Sequence, residues 1–252
     1  MFHSAIYWPA RFSHLAQQAQ QPVLQNFYAQ PVIDGSTPIC ECPLVALDFE
    51  TTGLNAQQDA ILSIGLVPFN TQRIALNQAQ YWLVQPTKPL EEGSVVIHGI
   101  THSELRHAQE PEVVISELFD ALRGKIVVAH FRHIEREFLR QTTLNLWDEA
   151  VEFPIIDTLE IEHYVQNAQR SLWQRLLRRP LNSVRLGQSR LRYGLPAYSP
   201  HHALTDAIAT AELFQAQCAH HLRPETPHTI TLAVTRCEDE KKKERNALLI
   251  LS

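Results

Sequence analysis

The stretch that most constrains this chain is Leu44-Val45-Ala46-Leu47 running into Asp48-Phe49-Glu50. Four consecutive apolar residues read as a strand buried on both faces. Side chains alternate along a strand, so Asp48 and Glu50 leave it on one face, roughly 6–7 Å apart at the backbone. Two carboxylates placed this way repel each other unless a cation lies between them. An all-oxygen donor set suits a hard ion such as Mg²⁺ or Mn²⁺. Taken alone, however, an Asp-x-Glu pair better fits a strand end whose acids simply meet water.

The rest of the chain supplies a sheet for that strand. Ala60–Phe69 and Ile74–Val84 follow as strands, which predicts an antiparallel meander. Pro111–Leu122 predicts a helix, with Val113, Val114, Leu118 and Leu122 near helical spacing and Gly124 ending it. Ile126–Ala129 reads as a short buried strand. Arg132–Leu144, Ile161–Leu177 and His202–His221 read as helices. The order predicts an α/β fold: a mixed sheet, its first three strands antiparallel and the rest parallel, with helices on both faces. Residues 1–43, rich in Gln and Pro, form an N-terminal extension with an amphipathic helix near Arg11–Gln20. That extension either packs on the outside of the fold or meets a partner. Residues 44–222 form the main domain and 223–252 a C-terminal tail. In the tail Thr229–Thr235 reads as a strand and Glu238–Arg245 as a solvated charge run.

Length and composition narrow the class. A chain of 252 residues supports one sizeable core or two small domains. It has no apolar run of the roughly 18 residues that a membrane span needs, and its start lacks the pattern of a secretory signal. A soluble, cytoplasmic protein without a membrane partner is expected. Cys40, Cys42, Cys218 and Cys237 lack metal-site spacing and read as reduced thiols. The net charge of −5 argues against a nucleic-acid partner, but its distribution argues the other way. No acid occurs between Glu162 and Asp206, a stretch that carries Arg170, Arg175, Arg178, Arg179, Arg185, Arg190 and Arg192 with Trp173, Tyr193 and Tyr198. Arginines interleaved with aromatics suit phosphates and bases; they equally suit a solvated helical face.

Leu47-Asp48-Phe49-Glu50-Thr51-Thr52-Gly53-Leu54 resembles the first motif of the DEDDh exonucleases. Four further strings continue the resemblance in order. Val96-Ile97-His98-Gly99-Ile100-Thr101 is similar to a segment of the polymerase III epsilon-like members. His130 through Phe138-Leu139 stands where the second motif belongs, and Ile156-Asp157-Thr158-Leu159 resembles the segment after it. His201-His202-Ala203-Leu204-Thr205-Asp206-Ala207 resembles the third motif. The match covers about residues 44–217 and makes the main domain an exonuclease domain of ribonuclease H-like fold.

The second motif departs from the family pattern of His-Asn with Asp five residues after the His. Here Glu135 stands in place of that Asp, and Phe131 in place of the Asn. Glu keeps the charge and lengthens the arm by about 1.5 Å, which bears on metal preference because Mg²⁺ is strict in geometry. Phe131 removes a polar contact and offers a stacking face.

The resemblance implies two divalent cations, Mg²⁺ or Mn²⁺, held by Asp48, Glu50, Asp206 and Glu135. It makes His201 the general base for the attacking water, and an imidazole suits that role near neutral pH. It puts Phe49, Thr51, Thr52, Gly53, His98 and Phe131 in contact with the substrate, and His202 is a bystander or a phosphate contact. The reaction it implies is 3′→5′ release of nucleoside 5′-monophosphates from single-stranded or frayed DNA, with a polymerase as a partner. An RNA-trimming enzyme shares the same site, because contacts to a 2′-hydroxyl are not legible in one sequence. A nucleic-acid-binding scaffold with weakened catalysis is the reading from another class, supported by Glu135 and Phe131.

Overall fold

The structure is a computed structural model that describes residues 6–35, 37–86, 107–171 and 180–221, together with Ile100, Leu105 and Trp173. The described elements run α1 (Trp8–Gln18), α2 (Pro22–Ala29), β1 (Leu44–Thr51), β2 (Ile61–Phe69), β3 (Gln80–Leu83), α3 (Pro111–Leu122), β4 (Ile126–Ala129), α4 (His133–Trp147), β5 (Ile155–Asp157), α5 (Thr158–Gln169), α6 (Leu186–Arg192) and α7 (Ala203–His221).

The sheet order is β3-β2-β1-β4-β5. The first three strands pair antiparallel, and β4 and β5 add in parallel. This is the mixed, ribonuclease H-like sheet expected from the sequence, with β1 at its centre. Every residue of β1 is buried except Asp48, so both faces are covered. The expected strand over Ile74–Val84 shrinks to Gln80–Leu83: Ile74 makes one isolated bridge to Phe69, and Leu76–Gln78 forms a 3₁₀ turn. The expected helix Ile161–Leu177 begins earlier, at Thr158, and this element ends at Gln169; Trp173 is again helical, and the rest of 172–177 lies outside the described residues. The expected strand Thr229–Thr235 lies outside the described residues.

The helices before β1 pack into the same core as the sheet. Phe27 of α2 meets Phe119 of α3 at 5.0 Å between ring centres, and Phe12 of α1 meets Tyr28 edge-on at 5.2 Å. Polar contacts hold the outer edge of this packing. Arg11 forms a forked pair with Glu152 at 3.0 and 2.6 Å, and the amides of Gln20 and Gln21 donate to Glu149. Among the described residues no helix is long and apolar enough to cross a membrane.

One glycine positions the last helix. Gly65 of β2 lies opposite Asp48 of β1 and therefore shares its face. A Cβ on Gly65 would come within 2.2–2.3 Å of backbone atoms of Ala203 and Leu204. Only glycine lets the start of α7 press onto the sheet there, and that contact brings Asp206 to the end of β1.

Candidate functional site

Three carboxylates converge at the end of β1. Strand alternation turns Asp48 and Glu50 to the face covered by α7, and Asp206 arrives in that helix's first turn. Ligand oxygens of Asp48, Glu50 and Asp206 all lie within 4.8 Å of one another. The ladder shifts register between Glu50, opposite Ser63, and Thr51, opposite Ile61; such bulges are common beside functional sites.

The electrostatics match that crowding. Burial pushes the Asp48 carboxyl well above the usual carboxylate range, and the negative charges of Glu135, Asp206 and Glu50 push it further. Asp206 is raised mainly by burial, against hydrogen bonds that favour its ionised form. Those bonds come from the Tyr198 hydroxyl and from the amides of His201 and His202, which reach Oδ2 at 2.7 and 3.2 Å. Glu135, in the first turn of α4, is only 2% exposed, and its Oε2 has no hydrogen-bond partner. Burial raises its pKa too. Buried carboxylate oxygens are rarely left unsatisfied, and a cation would relieve both this oxygen and the mutual repulsion. The donor set is all oxygen, so the residues present fit Mg²⁺ or Mn²⁺.

Two loops frame the acids. Phe131 and His201 both adopt left-handed backbone, with φ of 73° and 72°. This conformation costs a non-glycine residue about 1–2 kcal/mol, and such strain gathers at functional sites. At His201 it turns the amide onto Asp206. At Phe131 the loop is pinned by Asp157, whose carboxylate accepts from the amides of Phe131 (2.9 Å), Arg132 (3.1 Å) and Leu159 (2.9 Å). Phe131 itself is 46% exposed.

The other expected contacts are placed unevenly. Phe49 points to the opposite face and is buried in the core. The Thr51 hydroxyl donates to the Gly53 carbonyl, and the Thr52 hydroxyl donates to Asp59, so both close their own loop. A cleft of about 300 Å³ separates that loop, at Leu54–Gln57, from α4 at His133, Glu137 and Arg140. His202 stacks on Tyr81 of β3, ring centres 4.6 Å apart. His98 lies outside the described residues. The arginine-rich stretch is partly internal: Arg190 is 2% exposed and pairs with Glu212, and Arg192 pairs with Glu162. These two are not free for phosphates.

Sequence reasoning named Asp157 and Tyr198 without the roles they take here, and passed over Gly65. Asp157 carries the signal of a helix N-cap, an Asp just ahead of a helical run, and its side chain caps α5. Gly65 and Tyr198 carry no local signal, because each acts only through a contact with α7.

Comparison with known proteins agrees with this geometry. A family model described as an exonuclease, RNase_T, matches residues 45–214. A DNA polymerase III PolC-type protein of Thermotoga petrophila is 32% identical over 199 residues, covering 77% of this chain but only 13% of that protein. The DNA polymerase III subunit epsilon of Treponema pallidum is 27% identical, covering 71% of this chain and 77% of its own length. Cell-death related nuclease 4 shares the fold with a TM-score of 0.58 at 18% identity, over 74% of this chain and 66% of that one. Escherichia coli exonuclease I, in complex with a dT13 oligonucleotide, does so with a TM-score of 0.55 at 16% identity, over 71% and 41%. The family match extends from β1 into α7, and the chain belongs to the exonuclease family.

Proposed function

We propose that this protein is a metal-dependent 3′→5′ exonuclease releasing nucleoside 5′-monophosphates from single-stranded or frayed DNA. The observation that carries the reading is the convergence of Asp48, Glu50 and Asp206 within 4.8 Å. Asp48, Glu50 and Asp206 would hold one Mg²⁺ or Mn²⁺, and Asp48 with Glu135 a second. Bound there, the ions would acidify a water and stabilise the attacking and leaving oxygens. His201, exposed on its loop beside Asp206, accepts the proton of the attacking water. Phe131 presents a ring face on which a base can stack. The DNA substrate is supported by the oligonucleotide complex of exonuclease I, and polymerase association by the names of the polymerase III relatives.

The test is release of mononucleotides from 3′-labelled single-stranded DNA with Mg²⁺ or Mn²⁺. Wild type is expected to be active and Asp48→Ala and His201→Ala to be severely impaired. Equal release by all three would overturn the reading. Faster digestion of a matched RNA would overturn its substrate.

A further inference from the structure

Arg190 of α6 heads the fully enclosed side chains by volume among the described residues, and it stands outside the acid cluster. A buried guanidinium is costly unless its charge and most of its donors are met; here Nε has no partner, and the two Nη atoms carry the contacts. Its Nη1 donates to the Ala209 carbonyl at 2.8 Å and pairs with Glu212 at 2.7 Å; its Nη2 donates to the Pro196 carbonyl at 3.1 Å. Ala209 and Glu212 belong to α7, the helix of Asp206, and Pro196 to the loop that carries Tyr198. The same guanidinium lies over the Tyr198 ring, 4.9 Å from its centre. The Tyr198 hydroxyl hydrogen-bonds to Asp206. The phenol is thus gripped at its face by a cation and at its tip by a carboxylate.

We propose that Tyr198 is a positioning residue for the metal centre, fixing the Asp206 carboxylate toward Asp48 and Glu50 while Arg190 holds the phenol in place. The inference rests on the metal-dependent reading of the site. Asp206 sits on a helix end and faces two other acids, so repulsion favours rotamers that turn it away. The two loop amides restrain one oxygen, Oδ2. A hydroxyl approaching from a separately anchored ring fixes the orientation of the whole group. Partners of ligating carboxylates commonly govern metal affinity in this way.

The fold supplies its own control. Tyr193 also carries a buried-side phenol bonded to a carboxylate, Glu162, at 3.0 Å, and it meets His221 at 2.9 Å. Glu162 is held by Arg192 and Gln217 and is not one of the clustered acids. The two tyrosines therefore share chemistry and differ in which carboxylate they hold.

The experiment is calorimetric titration of Mn²⁺ into the full chain as wild type, Tyr198→Phe and Tyr193→Phe, with a thermal melt of each. Phenylalanine keeps the ring beneath Arg190 and removes only the hydroxyl. Tyr198→Phe is expected to weaken Mn²⁺ binding about 10-fold or more, and Tyr193→Phe to leave it unchanged. An unaltered Kd in Tyr198→Phe overturns the proposal. Equal weakening in both variants overturns it too, since that marks general loosening. Loss of cooperative melting in Tyr198→Phe likewise assigns the hydroxyl to the fold. A wild type that binds no Mn²⁺ overturns the metal-dependent function itself, and this inference with it.

Discussion

The two ends of this molecule are built on opposite terms. Where α1 and α2 meet α3, aromatic rings interlock at 5.0–5.5 Å and the bordering amides and charges find partners. At the end of β1, acids crowd together, Glu135 keeps a buried oxygen without a partner, and two non-glycine residues hold left-handed backbone. The first region supplies stability and the second consumes it. A chain can keep repelling carboxylates in place only if packing elsewhere exceeds their cost. Activity and stability should accordingly respond to different residues.

The sharpest break would come from Asp48→Asn. Mononucleotide release should fall below detection, while the metal-free protein melts at a higher temperature because one repelling charge is gone. A lower melting temperature would contradict the view that this site is strained. His201→Ala should slow release by about 10²–10⁴-fold with its melting temperature nearly unchanged. In the aromatic region the pattern should invert. Phe27→Ala should cost about 3–5 kcal/mol in denaturant unfolding, yet leave the rate per folded molecule intact; a site-like loss of rate would erase the contrast.

The pH dependence of the metal-free protein tests the same point. Asp48, Glu135 and Asp206 all have raised pKa values in the folded state. Between the unfolded carboxylate value, about 4, and the raised folded value, the native state keeps protons that the unfolded chain has released. Stability contributed by these groups is therefore lost as pH rises through that window. Melting scans should show this decline, and Mn²⁺ should reverse it with an increment that grows with pH. A metal increment independent of pH would show that the acids do not share the ion. The smallest effect is expected from Phe131→Asn. Asparagine tolerates left-handed backbone better, so stability should rise by up to about 1 kcal/mol in the same denaturant assay.

Much of the frame was legible because it is written locally. The apolar runs of β1, β2 and β4 and the helical spacing of α3 recover their elements to within a few residues. β5 escaped because three residues are too few to show a period. β3 was overdrawn because the apolar residues near Ile74 pack without joining the ladder. The acids themselves could be named through the resemblance of their motifs, since strand spacing alone left Asp48 and Glu50 to solvent. Their support could not. Gly65 matters through the backbone it admits, Asp157 through amides in another loop, and Arg190 through its burial. The arginine stretch shows the limit from the other side: its pattern reads as a surface, and contacts with Glu212 and Glu162 draw two of its members inside.

The seat of α7 on Gly65 also sets an order in time. Asp48, Glu50 and Glu135 leave the ribosome long before Asp206, which joins them only when the last described helix docks. On the proposed chemistry, a partly synthesised chain carries an incomplete set of ligands. Nuclease action would thus wait until α7 has been made and has docked.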